Sequence, residues 1–191
     1  MKINTITILI LFSSLFSQAI YTGESSFHWD TGWFGSEGNF NAVLSFDEFL
    51  NGEYSGSMAV SWADSVGGTH LFIPSIEPAD TSGSLYNMFI MYMKDTDGIL
   101  NPQTWDVAVT DAIDFQNLDA LMMYREDVDS LLIAQLIGPF INGEVDFSDF
   151  EGSLAPLILD LAVDSYLPIS GEITLSETTG NGFTGLFNGS F

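Results

Sequence analysis

Imidazole is scarce in this chain and thiol is absent. His28 and His70 are its two histidines, and there is no cysteine among 191 residues. Thiolate metal sites, thiol catalysis and a disulfide framework are therefore excluded. His28 and Asp30 are two apart, which on a strand sends both to one face, and His70 could join them as a third metal ligand. The spacing has no His-Glu-x-x-His character, and the plainer reading is two histidines at the surface or rim. Serine catalysis is recognised by a nucleophile held on a strained elbow beside a His and a carboxylate. No Gly-x-Ser-x-Gly occurs, and Ser55-Gly56-Ser57 belongs to an alternating strand pattern. No Gly-rich loop runs into a Lys, so nothing is built to cradle phosphate. The 26 Asp and Glu residues leave hydrolysis by a carboxylate pair open, but in such numbers no pair stands out.

Two acidic groups could hold Ca²⁺. Asp95 and Asp97 flank Thr96 ahead of Gly98, and Asp146, Asp149 and Glu151 surround Phe147 and Phe150. The first is no EF-hand: with Gly98 at loop position 6, position 1 is Met93 and position 12 is Thr104, neither able to supply a carboxylate. A tight Asp-Gly turn explains it without a metal. If either group is a cation site, millimolar Ca²⁺ stabilises the chain more than NaCl of equal ionic strength does. The segment Phe27-His28-Trp29-Asp30-Thr31-Gly32-Trp33-Phe34-Gly35 is the densest aromatic stretch. Trp29, Asp30 and Trp33 are of the types a sugar-binding face uses, rings against apolar sugar faces and a carboxylate accepting hydroxyl protons. The competing reading buries both indoles in the core, where aromatics supply large apolar area.

The elements that must position these residues are mostly strands. Asn39 to Phe46, Tyr54 to Trp62, Thr69 to Pro74 and Ser84 to Met93 are short runs separated by Gly, Asp, Asn and Ser. Met58, Val60 and Trp62 alternate with Ser57, Ala59 and Ser61, which predicts a half-buried strand. Trp105 to Thr110 alternates after Asn101-Pro102 and predicts another. From Asp127 to Ile137 the period becomes helical, with Asp127 and Asp129 as caps and Gly138-Pro139 as the stop. Phe140 to Val145, around Asn142-Gly143, then reads as a tight hairpin. Leu154 to Leu167 reads as a second helix, with Pro156 in its first turn and Pro168 beyond its end.

Acids outnumber Lys and Arg by 26 to 3, for a formal charge of -23. The anomaly is a shortage of cations, and such a surface repels phosphate, so nucleic acid is excluded as a partner. Met1-Lys2, an apolar stretch from Ile3 to Phe16, and Ser17-Gln18-Ala19 match a signal peptide cleaved after Ala19. That stretch is too short and too interrupted by polar residues to span a membrane, which takes about 20 apolar residues. Once it is removed, Lys94 and Arg125 alone face the acids. With 46% hydrophobic residues the chain is nevertheless apolar enough to fold.

The C-terminus is the clearest unit. Ser170 to Leu175 alternates, Thr179-Gly180-Asn181-Gly182 turns, and the return run places Phe183, Phe187 and Phe191 four apart with Gly185 and Gly189 between them. Glycine inside a strand marks a bulge or a close backbone approach. An outer-membrane barrel is a poor match, because Gly189 stands where a terminal barrel strand needs an apolar residue and the helix has no place in it. Over about its last twenty residues the chain resembles small exported β-sandwich proteins of Bacteroidota and similar marine bacteria. It departs from them in lacking the Cys that usually carries a lipid anchor. The resemblance implies a sandwich and a cell-envelope setting, and brings no activity with it.

The reading as a whole is residues 1–19 as signal peptide and 20–191 as one mostly β domain, sandwich-like antiparallel sheets with one or two packed helices. The expected role is an exported envelope or extracellular structural or binding protein, with a carbohydrate or cell-surface partner. The alternatives are a secreted hydrolase using paired carboxylates, or a lectin-like module.

Overall fold

A computed structural model describes residues 19–30, 37–43, 55–64, 67–80, 83–98, 100–107, 118–142, 144–145, 155–179 and 182–190. These residues are mostly β, with two helices among them. The strands are β1 (Ala19–Asp30), β2 (Glu37–Val43), β3 (Gly56–Ala63), β4 (Thr69–Pro78), β5 (Leu85–Asp95), β6 (Gln103–Asp106), β7 (Ala120–Asp129), β8 (Ser170–Thr179) and β9 (Gly182–Ser190). The helices are α1 (Ser130–Asn142) and α2 (Ala155–Ala162).

Six strands form one antiparallel sheet in the order β2-β1-β3-β4-β5-β7, and three form a second in the order β6-β8-β9. The first half of β1 pairs with β3, Ala19 opposite Ser61 and Gly23 opposite Ser57, while its second half pairs with β2, Glu24 opposite Val43 and Asp30 opposite Glu37. The larger sheet is buried on both faces. Val60, Trp62, Phe72, Ile90, Tyr92 and Met123 pack with Ile133, Leu136, Phe140 and Ile158 of the helices. On the other face Leu71, Ile73, Phe89, Met91 and Met122 pack with Phe40 of β2, Trp105 of β6 and Ile173 and Leu175 of β8. This double covering corrects the half-buried reading of β3. Trp62 on one face is 3% exposed and Ala59 on the other 4%.

Helix α1 runs through its expected stop, with Pro139 inside it, and the hairpin expected at Phe140 to Val145 is replaced by the helix end. An interior proline costs about 3 kcal/mol, and tertiary packing offsets it. Phe140 is fully buried and its ring stacks on Phe72 at 5.4 Å and 15°. The Pro139 carbonyl accepts Glu144 N–H at 2.8 Å, so the helix end is capped. At the other end the expected cap is present, Asp129 Oδ1 accepting Leu131 N–H at 2.6 Å. Asp127 lies in β7 with φ of 54°, where two residues of that strand, Glu126 and Asp127, oppose Asn87 of β5. It is therefore a bulge residue and not a cap. Helix α2 ends at Ala162, earlier than expected, because Tyr166 leaves to exchange backbone hydrogen bonds with Tyr124 at 2.7 and 3.0 Å.

The expected C-terminal hairpin forms, with Ile173 opposite Phe187 and Leu175 opposite Gly185. The sheet it completes is the smaller one, with β6 on its far side.

Candidate functional site

The most connected polar cluster among the described residues lies where β3 turns into β4. Asp64 and Gly68 close this turn, Asp64 N–H donating to the Gly68 carbonyl at 2.8 Å and Gly68 N–H to Asp64 Oδ1 at 2.7 Å. Two residues on, His70 is opposite Trp62 on β3 and Lys94 on β5. Its ring stacks on the Trp62 indole at 4.9 Å and 10°. His70 Nε2 is 3.1 Å from Asp64 Oδ2 and Nδ1 is 2.8 Å from Tyr92 Oη. Lys94 Nζ is 3.6 Å from the same Asp64 oxygen. A carboxylate only accepts, so in the neutral ring Nε2 carries the proton and Nδ1 accepts from the Tyr92 hydroxyl.

This Asp–His–Tyr chain can orient and polarise an imidazole in the way a proton relay requires. Its Tyr92 member, however, is buried within the helix-side core. The arrangement therefore ties three strands together at one end of the sheet. It also corrects the rim reading of His70, which is buried. His28 is exposed, opposite Asn39 on β2 with Nδ1 3.1 Å from Asn39 Oδ1. Because β1 meets the His70 end of β3 through Ala19, the two histidines belong to opposite ends of β1 and share no site.

A second polar line runs beneath β1. Ser57 donates to Ser75 at 2.7 Å and Ser75 to Ser25 at 2.9 Å, linking β3, β4 and β1 through hydroxyls. Glu77 accepts Asn41 N–H at 2.7 Å and Asn87 Nδ2 at 3.1 Å, which fixes β2 against β4 and β5. Among the described residues no buried side-chain nitrogen or oxygen lacks a hydrogen-bond partner.

Asp95 is 5% exposed and organises the loop that follows it. Its Oδ1 accepts Asp97 N–H at 2.9 Å, and its Oδ2 accepts Asn101 N–H at 3.2 Å and Gln103 Nε2 at 2.8 Å. Three donors from the chain satisfy this carboxylate, and Gly98 completes the turn with φ of 90°. Asp97 is exposed beside it. Among the described residues, no three His, Asp or Glu side chains converge as metal ligands do. Asp146, Asp149, Glu151 and Trp33 lie outside the described residues. The backbones of Trp29 and Asp30 are in β1, opposite Gly38 and Glu37, and their side chains lie outside the described set.

Sequence reasoning missed the Asp64–His70–Tyr92 cluster. Its local signal is Asp64 and His70 six apart around Gly67-Gly68, a hairpin spacing, whereas Tyr92 joins only through strand register.

Tyr124 closes the opposite face, with its ring edge-on to Phe27 at 5.8 Å. Burial first, then the neighbouring Glu126 and Glu77 carboxylates, push its phenol well above the usual range. An unfolded chain loses this proton from about pH 10 while the folded chain keeps it, so stability present below pH 10 is lost as the pH rises past it. Tyr124→Phe is expected to lose less stability above pH 10 than the parent. Parallel alkaline losses in thermal melts of the two proteins would show that the phenol does not titrate with unfolding.

No protein-family model, curated protein or solved structure matches the chain.

Proposed function

We propose that this chain is an exported structural or binding domain that acts through its outer surface. The carrying observation is how the carboxylates are distributed. The more buried ones hold the fold, Asp64 at the β3–β4 turn and Asp95 in the loop after β5. Among the described residues others are exposed and spread over several elements, Asp106 on β6, Asp119 just before β7, Glu126 and Asp129 on β7, Asp160 on α2 and Glu172 on β8. Acid/base chemistry on a substrate needs carboxylates gathered with separated proton affinities, and dispersed ones instead give a hydrated anionic coat. Both cations beyond residue 19 have internal partners, Lys94 at Asp64 and Arg125 at Asp164 and the Leu161 carbonyl. Partners of such a surface are neutral or cationic, with polysaccharide and cell-surface protein as the fitting classes.

Export is supported by the leader-like composition of residues 1–19. Expression in a bacterial host followed by fractionation and N-terminal sequencing is expected to give a chain starting at Ile20 outside the cytoplasm. A soluble cytoplasmic product retaining Met1 would overturn the reading.

A further inference from the structure

We propose that the outer edge of β9 is a self-association surface, through which two copies of this chain join antiparallel about a two-fold axis at Leu186. Strand edges present unpaired backbone groups, and proteins blunt them with charge, proline, bulges or short length. The other edges here carry such devices. β7 holds Arg125, Glu126, Asp127 and Asp129, has the bulge at Asp127, and gives the Tyr124 backbone to Tyr166. β6 is four residues long, follows Pro102 and ends in Asp106. β2 carries Glu37, and its Asn41 N–H is taken by Glu77. β9 has none of these. Its nine residues include no charge and no proline, and the irregularity in its pairing with β8 lies on the β8 side, between Leu175 and Glu177. Among the described residues no strand pairs with its outer side.

The β9 sequence fits itself. Laid antiparallel about Leu186, Gly182-Phe183-Thr184-Gly185-Leu186-Phe187-Asn188-Gly189-Ser190 sets Leu186 against the partner's Leu186 and Thr184 against the partner's Asn188. On the other face Phe183 meets the partner's Gly189, and Gly185 meets the partner's Phe187. An aromatic opposite glycine covers bare backbone, a pairing that stabilises antiparallel strands. Gly185 is also fixed from within, since a Cβ there would lie 2.6 Å from the Thr174 carbonyl oxygen. Leu186 is 73% exposed and points away from the core.

Net charge holds the copies apart. Glu172 is opposite Asn188 and Glu177 opposite Thr184, so each Glu172 would stand three strand spacings, about 14 Å, from the partner's Glu177. That separation exceeds the screening length of about 8 Å at 0.15 M salt but not the roughly 30 Å at 0.01 M. Pairing is therefore expected to switch on with ionic strength. Because the two-fold contact uses both β9 edges, it stops at two chains.

Sedimentation velocity at about 0.01 M and about 0.5 M NaCl tests this, with the expected change from one chain to two. Leu186→Lys sets like charges face to face at the axis and is expected to stay a single chain in both, although it lowers the net negative charge. Asp160→Asn, an exposed change of the same sign on α2, is expected to behave as the parent. The register has its own readout, because the chain has no cysteine. A lone Leu186→Cys would face its own copy at disulfide distance and is expected to cross-link at high salt, whereas Thr104→Cys on β6 is not. A single-chain parent at high salt, a Leu186→Lys variant that still pairs, equal cross-linking at both positions, or growth beyond two chains would each overturn the proposal.

Discussion

Ending the chain at Thr179, which removes β9, is expected to abolish cooperative thermal unfolding. β9 supplies Phe187, whose ring lies 4.7 Å from Phe89 and 5.4 Å from Phe27, and it pairs with β8 along Ile173 and Leu175. Each large apolar side chain returned to water costs roughly 1.5–3 kcal/mol. Losing Phe183 and Phe187, and uncovering the β8 residues beside them, therefore approaches the whole stability of a typical domain, about 5–15 kcal/mol. Calorimetry decides the matter. A truncated chain that melts as sharply as the parent, near the same temperature, would show the hairpin to be an appendage.

Asp64→Ala is expected to cost about 2–4 kcal/mol, a fall in melting temperature of roughly 4–16 °C for a chain of this size. One change removes the acceptor for His70 Nε2, for the Gly68 N–H and for the Lys94 ammonium. Asp64→Asn keeps one carbonyl oxygen and is expected to recover part of the loss. Lys94→Ala removes only a partly exposed ion pair and is expected to cost about 0–1 kcal/mol. Urea unfolding of the three variants separates these effects. Equal small losses for Asp64→Ala and Lys94→Ala would mean that the β3–β4 turn is held by packing alone.

How far the site could be read from the sequence varies from residue to residue. The alternation of Ile173 and Leu175, then the turn, then the Phe and Gly spacing of the return strand identified β8 and β9, because a hairpin is a local object whose pairing the turn dictates. Asp129 was legible as a cap for the same reason. Pro139 misled, since its local cost is real but Phe140 is buried against Phe72 on β4, and no window around residue 139 contains that contact. His70 misled similarly. Its neighbours Leu71 and Phe72 read as an ordinary strand, while Trp62, Tyr92 and Asp64, which make it a buried and bonded imidazole, come from the neighbouring strands and the β3–β4 turn.

The sequence by itself determined that this chain is acidic, cysteine-free, mostly β with one or two helices, and closed by a C-terminal hairpin, because composition and short-range periodicity are properties of neighbours along the chain. Only the tertiary structure decided that the larger sheet is covered on both faces, that Asp64, His70 and Tyr92 meet, and that β9 is left at an edge. Those outcomes depend on which strands lie side by side and in what register. Register is set by burial summed over whole strands, which places residues such as Asp64 and Tyr92, 28 positions apart in the chain, within reach of one histidine.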